Sequence, residues 1–282
     1  MNALERLYGC RLRLDLFLLR LLLSFLTGGA WVTLITLATV RYGAKLGGLL
    51  AGFPSTVAFS LVFIGVTQST SAAIEATTGL PLALGLTASF PLLYAYLAKR
   101  TRFSVSLLSA LLFWTSGTLA FSAIILRTGL DFWLSVAGFY AIALVAYVLL
   151  GERRRSEVAS HGVNPSPFQW VWRFTLAGGI IVCAVFLSQT VGPLVGGVFA
   201  SFPAIITSTI FIISRVEGVE ASRSVAVPVT ISTVFTIVPY IITVRYVFPS
   251  LGVITGTVVG YAVAIPLSVA AFYLVARTPR EP

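Results

Sequence analysis

The chain has 282 residues, of which 57% are apolar and only 10% charged. A soluble domain carries about 25% charged residues, so this chain cannot cover its own surface with charge, and lipid must be much of its solvent. The net charge is +10, from 17 Arg, 2 Lys and 9 acids; the basic residues fall mostly between apolar runs, which fits membrane topology and anionic lipid headgroups and argues against nucleic-acid binding.

Residues 1–19 form a basic interfacial lead-in with Arg6, Arg11 and Arg13. The run after it is long and has no clean small-residue cleavage site, so it reads as a retained helix and not a signal peptide. Runs of about 20 apolar residues span a bilayer, and the first is Leu21–Val40. The second is Gly43–Thr67, followed by a polar loop, "QSTSAAIEATTG". The third is Pro81–Ala98, stopped by "KRTR"; the fourth is Ser104–Leu126 and the fifth Phe132–Leu150. A basic polar linker, 151–168, carries "ERRRSE". Four more spans follow: Trp170–Gln189, Gly192–Ser214, Ala226–Val244 and Val253–Ala276. The runs are continuous, where a β-barrel would alternate in segments of about ten residues. The fold class is therefore all-α, a polytopic transmembrane helical bundle of nine spans.

Gly43 and Gly192 stand 149 residues apart, and at that offset "GAKLGGLLAGFP" (43–54) and "GPLVGGVFASFP" (192–203) agree at six of twelve positions. Phe25 and Gly29 match Phe174 and Gly178 at the same offset. Paired glycines and a Phe-Pro in the same order mark an internal repeat. The two units are residues 20–128 and 169–278, each of four spans, with an inversion linker helix at 129–150. Four spans return the chain to its starting side and a fifth crosses, so the second unit enters from the opposite face. The layout is 4+1+4 with inverted repeats, a frequent transporter construction. Thirteen of the 19 basic residues then share one side, which places the C-terminus in the cytoplasm and the N-terminus outside a multi-pass cell-membrane protein; the four Arg before the first span dissent.

Pro54 and Pro203 lie near the middle of the second and seventh spans. A proline there lacks its N–H and clashes with the carbonyl four residues back, which frees the carbonyls of Leu50 and Phe199. At membrane depth such groups must face protein or a wet cavity. Small residues around each proline also suit close helix packing, so a kinked packing helix is the plain reading. The inverted repeat supports a sharper one, in which two broken helices meet near the midplane and form a substrate pathway. Its residues are Gly48, Gly52, Phe53, Pro54, Ser55 and Thr56 in the first unit, and Gly197, Ser201, Phe202, Pro203, Thr207 and Ser208 in the second.

None of the nine acids falls well inside a span, which weakens a proton-driven antiporter. The single His161 and the unpaired Cys10 and Cys183 offer no metal spacing,. No nucleophile–base set appears, so the chain reads as a non-enzyme without cofactor. Arg20, Arg173 and Arg245 lie near span ends and read as snorkelling to headgroups; Trp114 reads as packing.

"GGLLAGFPSTVAFSLVFIGVTQ" (47–68) and "GGVFASFPAIITSTIFIISRVEGVEASRS" (196–224) resemble the GlpM-like small membrane proteins. That family has four-span units with a Gly-Gly…Phe-Pro second helix, and the resemblance covers both repeats but not the fifth span. It implies a tandem, inverted duplication and carries no activity. The layout is also similar to fused eukaryotic fluoride channels and to drug/metabolite transporters, but the pore-facing Asn and the membrane glutamate those use are missing here, since Asn2 and Asn164 fall outside the spans. Three functions stay open: a small-molecule transporter or permease, a passive channel for a small ion or neutral solute, and a membrane scaffold or lipid-binding protein. The expected partners are the bilayer, anionic headgroups and an unidentified small solute, with a homodimer possible.

Overall fold

A computed structural model describes residues 3–42, 53–150, 166–216 and 218–277. They are helical throughout, with no strand among the described residues. In chain order the helices are α1 (Ala3–Tyr42), α2 (Ser55–Thr67), α3 (Thr70–Ala76), α4 (Leu80–Leu97), α5 (Phe103–Thr128) and α6 (Phe132–Leu150). After the linker come α7 (Pro167–Thr190), α8 (Pro193–Ala200), α9 (Ala204–Val216), α10 (Val219–Ser224) and α11 (Ala226–Arg277). Among the described residues, seven stretches are long and apolar enough to cross a membrane.

The helix ends follow local chemistry. α5 stops at Gly129, whose φ of 63° closes the last turn,. The Asp131 carboxylate then accepts from the N–H groups of Trp133 and Leu134 at the start of α6,. α7 opens on Pro167 behind a capping box of Ser166 and Gln169,. Gly252, with φ 72°, divides α11 into 226–251 and 253–277, so the eighth run continues past Val244, where the sequence stopped it. The loop expected after the second run contains a helix instead. Ser69 caps α3 by accepting from the Ala72 N–H at 3.1 Å, and Ala72, Ala73 and Ala76 are buried. Alanine's helix propensity and this cap outweigh the polar composition.

α4 is the most enclosed long helix and packs against α5, α6 and α11. Its Leu84 and Phe90 are buried, as are Phe139 of α6 and Tyr240 and Phe248 of α11. α5 and α6 turn large apolar side chains outward, among them Leu112, Leu119, Leu144 and Leu149. Outward leucines at this density suit a helical bundle in lipid and not in water.

Two contacts repeat with their roles exchanged. A Cβ on Gly29 of α1 would stand 2.8 Å from the Phe174 carbonyl oxygen of α7, and one on Gly178 would stand 2.6 Å from that of Phe25; the Phe25 and Phe174 rings meet edge-on at 5.4 Å. The residues ahead of and along α11 run antiparallel to those around α4. Arg223 donates to the Ala95 carbonyl, Thr230 to that of Ala88 and Arg245 to that of Ile74.

Arg245 does not snorkel to headgroups as its place near a span end suggested. Its guanidinium donates to the Ile74 carbonyl (3.0 Å), the Thr77 hydroxyl (2.8 Å) and the Thr78 hydroxyl (3.0 Å), and it lies 4.4 Å over the Phe132 ring. Arg20 donates to the Thr67 carbonyl, and Arg173 is only 8% exposed. Arg20 and Arg245 turn inward because carbonyls and hydroxyls at helix ends accept from them, while the Arg173 Nε is buried without a hydrogen-bond partner. Arg245→Met is expected to lower stability by about 3 kcal/mol, the scale of charge-assisted hydrogen bonds lost together with a cation–π contact. Thermal unfolding in detergent reads this. Arg245→Lys, which keeps the charge without the planar fork, is expected to recover part of the loss.

Candidate functional site

The Phe-Pro at 202–203 breaks its span outright. α8 ends at Ala200 with tightened turns, in which the Ser201 N–H donates to the Val198 carbonyl and the Phe202 N–H to that of Phe199, both at 3.1 Å. The Ala204 N–H then donates across Pro203 to the Phe202 carbonyl at 2.8 Å, and the Thr207 N–H to the Pro203 carbonyl opens α9. A continuous kinked helix does not describe this segment, because proline supplies no donor to carry the ladder through.

The first Phe-Pro makes the same turn. The Ser55 N–H donates to the Phe53 carbonyl at 2.7 Å and the Ala58 N–H to the Pro54 carbonyl at 2.8 Å. Pro54 has φ −73° and ψ 42°, close to the inverse γ-turn. The half-span ahead of it, with Gly48, Gly52 and the Leu50 carbonyl, lies outside the described residues.

Both breaks line one small cavity of about 30 Å³, room for one or two water molecules. Phe53, Pro54 and Thr56 line it from the first break, and Ser201, Phe202 and Pro203 from the second. Of the other predicted residues that are described, Ser55, Gly197, Thr207 and Ser208 are not in the lining. The Ser55 and Thr207 hydroxyls are buried without a hydrogen-bond partner. Ser208 donates to the Ile205 carbonyl of its own helix. Gly197 stands against α3, where a Cβ would overlap the Ala76 carbonyl, so it serves close backbone packing. The Phe199 carbonyl, expected to be free, accepts from Phe202.

Each phenylalanine is backed by an aromatic from the other end of the chain's fold. Phe53 stacks on Tyr261 at 5.2 Å with planes 6° apart, and Phe202 meets Trp114 edge-on at 5.0 Å. Trp114 is more than filler. Its Nε1–H donates to Thr87 Oγ1 at 2.9 Å, and that hydroxyl donates to the Ser201 carbonyl at 2.6 Å. Thr87 and Thr233 also line the cavity, and neither was singled out from the sequence. Trp114 and Tyr261 stand 147 residues apart, close to the 149 that separate the two Phe-Pro segments, so an aromatic at both positions was the available signal. Among the described residues, no group of three His, Cys, Asp or Glu gathers to hold a metal, and no acid lines the cavity.

Residues 21–128 match the model of a family described as a protein of unknown function (DUF3147). No curated protein and no solved structure matches the chain. The match supports an uncharacterised family over that segment and gives no support to the GlpM-like resemblance.

Proposed function

We propose that this protein is a small-molecule transporter or permease whose site is the cavity between the two Phe-Pro breaks. One observation carries the reading: two segments 149 residues apart make the same proline turn and line one cavity. Broken helices meeting at a repeat interface are how many transporters build a site at mid-depth. The exchanged contacts support a 4+1+4 inverted layout of nine spans: Gly29 to Phe174 with Gly178 to Phe25, and Phe53 to Tyr261 with Phe202 to Trp114. In this layout the C-terminus is cytoplasmic and the basic linker meets anionic headgroups.

Flux into vesicles holding the purified full chain, tested against a panel of ions and metabolites, is the direct test. Saturable, protein-dependent uptake is expected. A scaffold would move nothing, and the small cavity volume is the feature that favours that second reading. Glu75 is exposed on α3, away from the cavity, so Glu75→Gln is expected to leave flux within about two-fold, a change of roughly 0.4 kcal/mol. Loss of flux in this variant would make Glu75 a coupling acid and displace the site.

A further inference from the structure

We propose that the cavity between the breaks binds a small monovalent anion, held by first-turn backbone N–H groups of α2 and α9 and by the Thr56 hydroxyl. The proposal rests on the transport reading of the same cavity and names its substrate class.

The argument starts from a count of donors. The first four N–H groups of a helix have no partner within it. In α9 the turn at Pro203 uses two, Ala204 to the Phe202 carbonyl and Thr207 to the Pro203 carbonyl. The N–H groups of Ile205 and Ile206 have no acceptor among the described residues. α2 repeats this, with Ser55 and Ala58 paired and Thr56 and Val57 without an acceptor among the described residues. Those four residues all line the cavity. Both helices are 13 residues long, so two positive dipole ends converge on one small space.

A side chain points the same way independently. Thr56 is 9% exposed and lines the cavity, and its hydroxyl has no hydrogen-bond partner among the described residues. The other two threonines of the lining are spent, Thr87 on the Ser201 carbonyl and Thr233 on that of Val229. Of the carbonyls at the end of α8, those of Val198 and Phe199 are spent, while that of Ala200, in the lining, has no donor among the described residues. The Val198 carbonyl takes the Ser201 N–H and hydroxyl, and the Phe199 carbonyl takes the Phe202 N–H. Among the described residues the wall therefore sets four N–H groups and the Thr56 hydroxyl against the Ala200 carbonyl, an excess of donors that suits an anion better than a cation. Among the described residues no charged side chain lines it, so their part in binding is dipolar. A volume of about 30 Å³ suits a small anion such as chloride or formate.

The test has a binding arm and a transport arm. Melting of the detergent-solubilised full chain is followed with added sodium chloride or formate against sodium gluconate at equal ionic strength. Binding to the folded state alone raises the melting point with anion concentration. A saturable rise with chloride or formate and none with gluconate is expected. Thr56→Val is expected to weaken the half-saturating concentration about ten-fold, the loss of one hydrogen bond to a charge, and Thr56→Ser to keep it. In vesicles, chloride efflux is compared with urea and glycerol uptake. Chloride efflux that falls in Thr56→Val supports the proposal. Urea or glycerol uptake without any anion-dependent melting overturns the anion and keeps a transport site. Anion-dependent melting without flux keeps the anion site and overturns transport. Neither response overturns both.

Discussion

Gly197→Leu is expected to cost about 3 kcal/mol or more and to lower the yield of folded protein. A Cβ at this position would overlap the Ala76 carbonyl oxygen and stand 2.8 Å from its carbon. The obstacle is backbone, so no side-chain rotamer can relieve it. Both partners are short: α8 is pinned between Pro193 and the break at Pro203, and α3 is held by its Ser69 cap. The preceding glycine is equally confined, since a Cβ on Gly196 would stand 2.6 Å from the Ala184 carbonyl oxygen of α7. Gly179 supplies the control, because a Cβ there meets nothing within 4 Å; Gly179→Ala is expected to change stability by no more than about 0.5 kcal/mol. Melting of the purified variants compares them directly. If Gly197→Leu melts with the parent, α8 and α3 do not approach as closely as described. Gly48, 149 positions earlier in the sequence, lies outside the described residues.

The sequence showed the helical class and most helix positions because long apolar runs leave one physical solution in lipid. It also singled out both Phe-Pro segments, since proline inside an apolar run removes a backbone donor wherever the chain folds. What it did not show was the partnership across the chain. Thr87 and Thr233 look like ordinary threonines inside apolar runs, and their importance comes from which helix packs against which. Arg245 read as a headgroup anchor because its acceptors, Ile74, Thr77 and Thr78, lie in a segment read as a loop. The loop was misread for a local reason: three alanines and a serine cap make a helix of "TSAAIEA" despite its polar neighbours. The Phe199 carbonyl, expected to be free, is taken by the Phe202 N–H, and amides are left over instead. Proline deletes a donor in the ladder, but the chain answered by breaking, and a helix that restarts carries unpaired N–H groups at its new end.

Thr87→Val is expected to destabilise the protein by about 2–5 kcal/mol while preserving side-chain volume, because it leaves two buried polar groups without partners. Thr87 is 5% exposed, and its hydroxyl accepts from Trp114 Nε1 and donates to the Ser201 carbonyl. It ties α4 and α5 to the end of α8, one residue before Phe202. Without it, the Trp114 N–H and the Ser201 carbonyl would both face an apolar surface. The Phe202 ring, which rests edge-on against Trp114, would lose a fixed neighbour. Thr87→Ser, which keeps both hydrogen bonds and loses one methyl group, is expected to cost only about 1 kcal/mol. The ordering of Val below Ser separates hydrogen bonding from packing, since valine fills the space better and serine satisfies the polar atoms better. Melting temperature reads the stability. The same pair carries a second consequence for the cavity. A freed Ser201 carbonyl adds a further acceptor beside that of Ala200 to a wall in which donors prevail, so Thr87→Val is expected to weaken the anion-dependent rise in melting point, and Thr87→Ser to preserve it. If valine and serine behave alike in both measurements, the hydroxyl bridge is not formed, and Trp114 holds the break by packing alone.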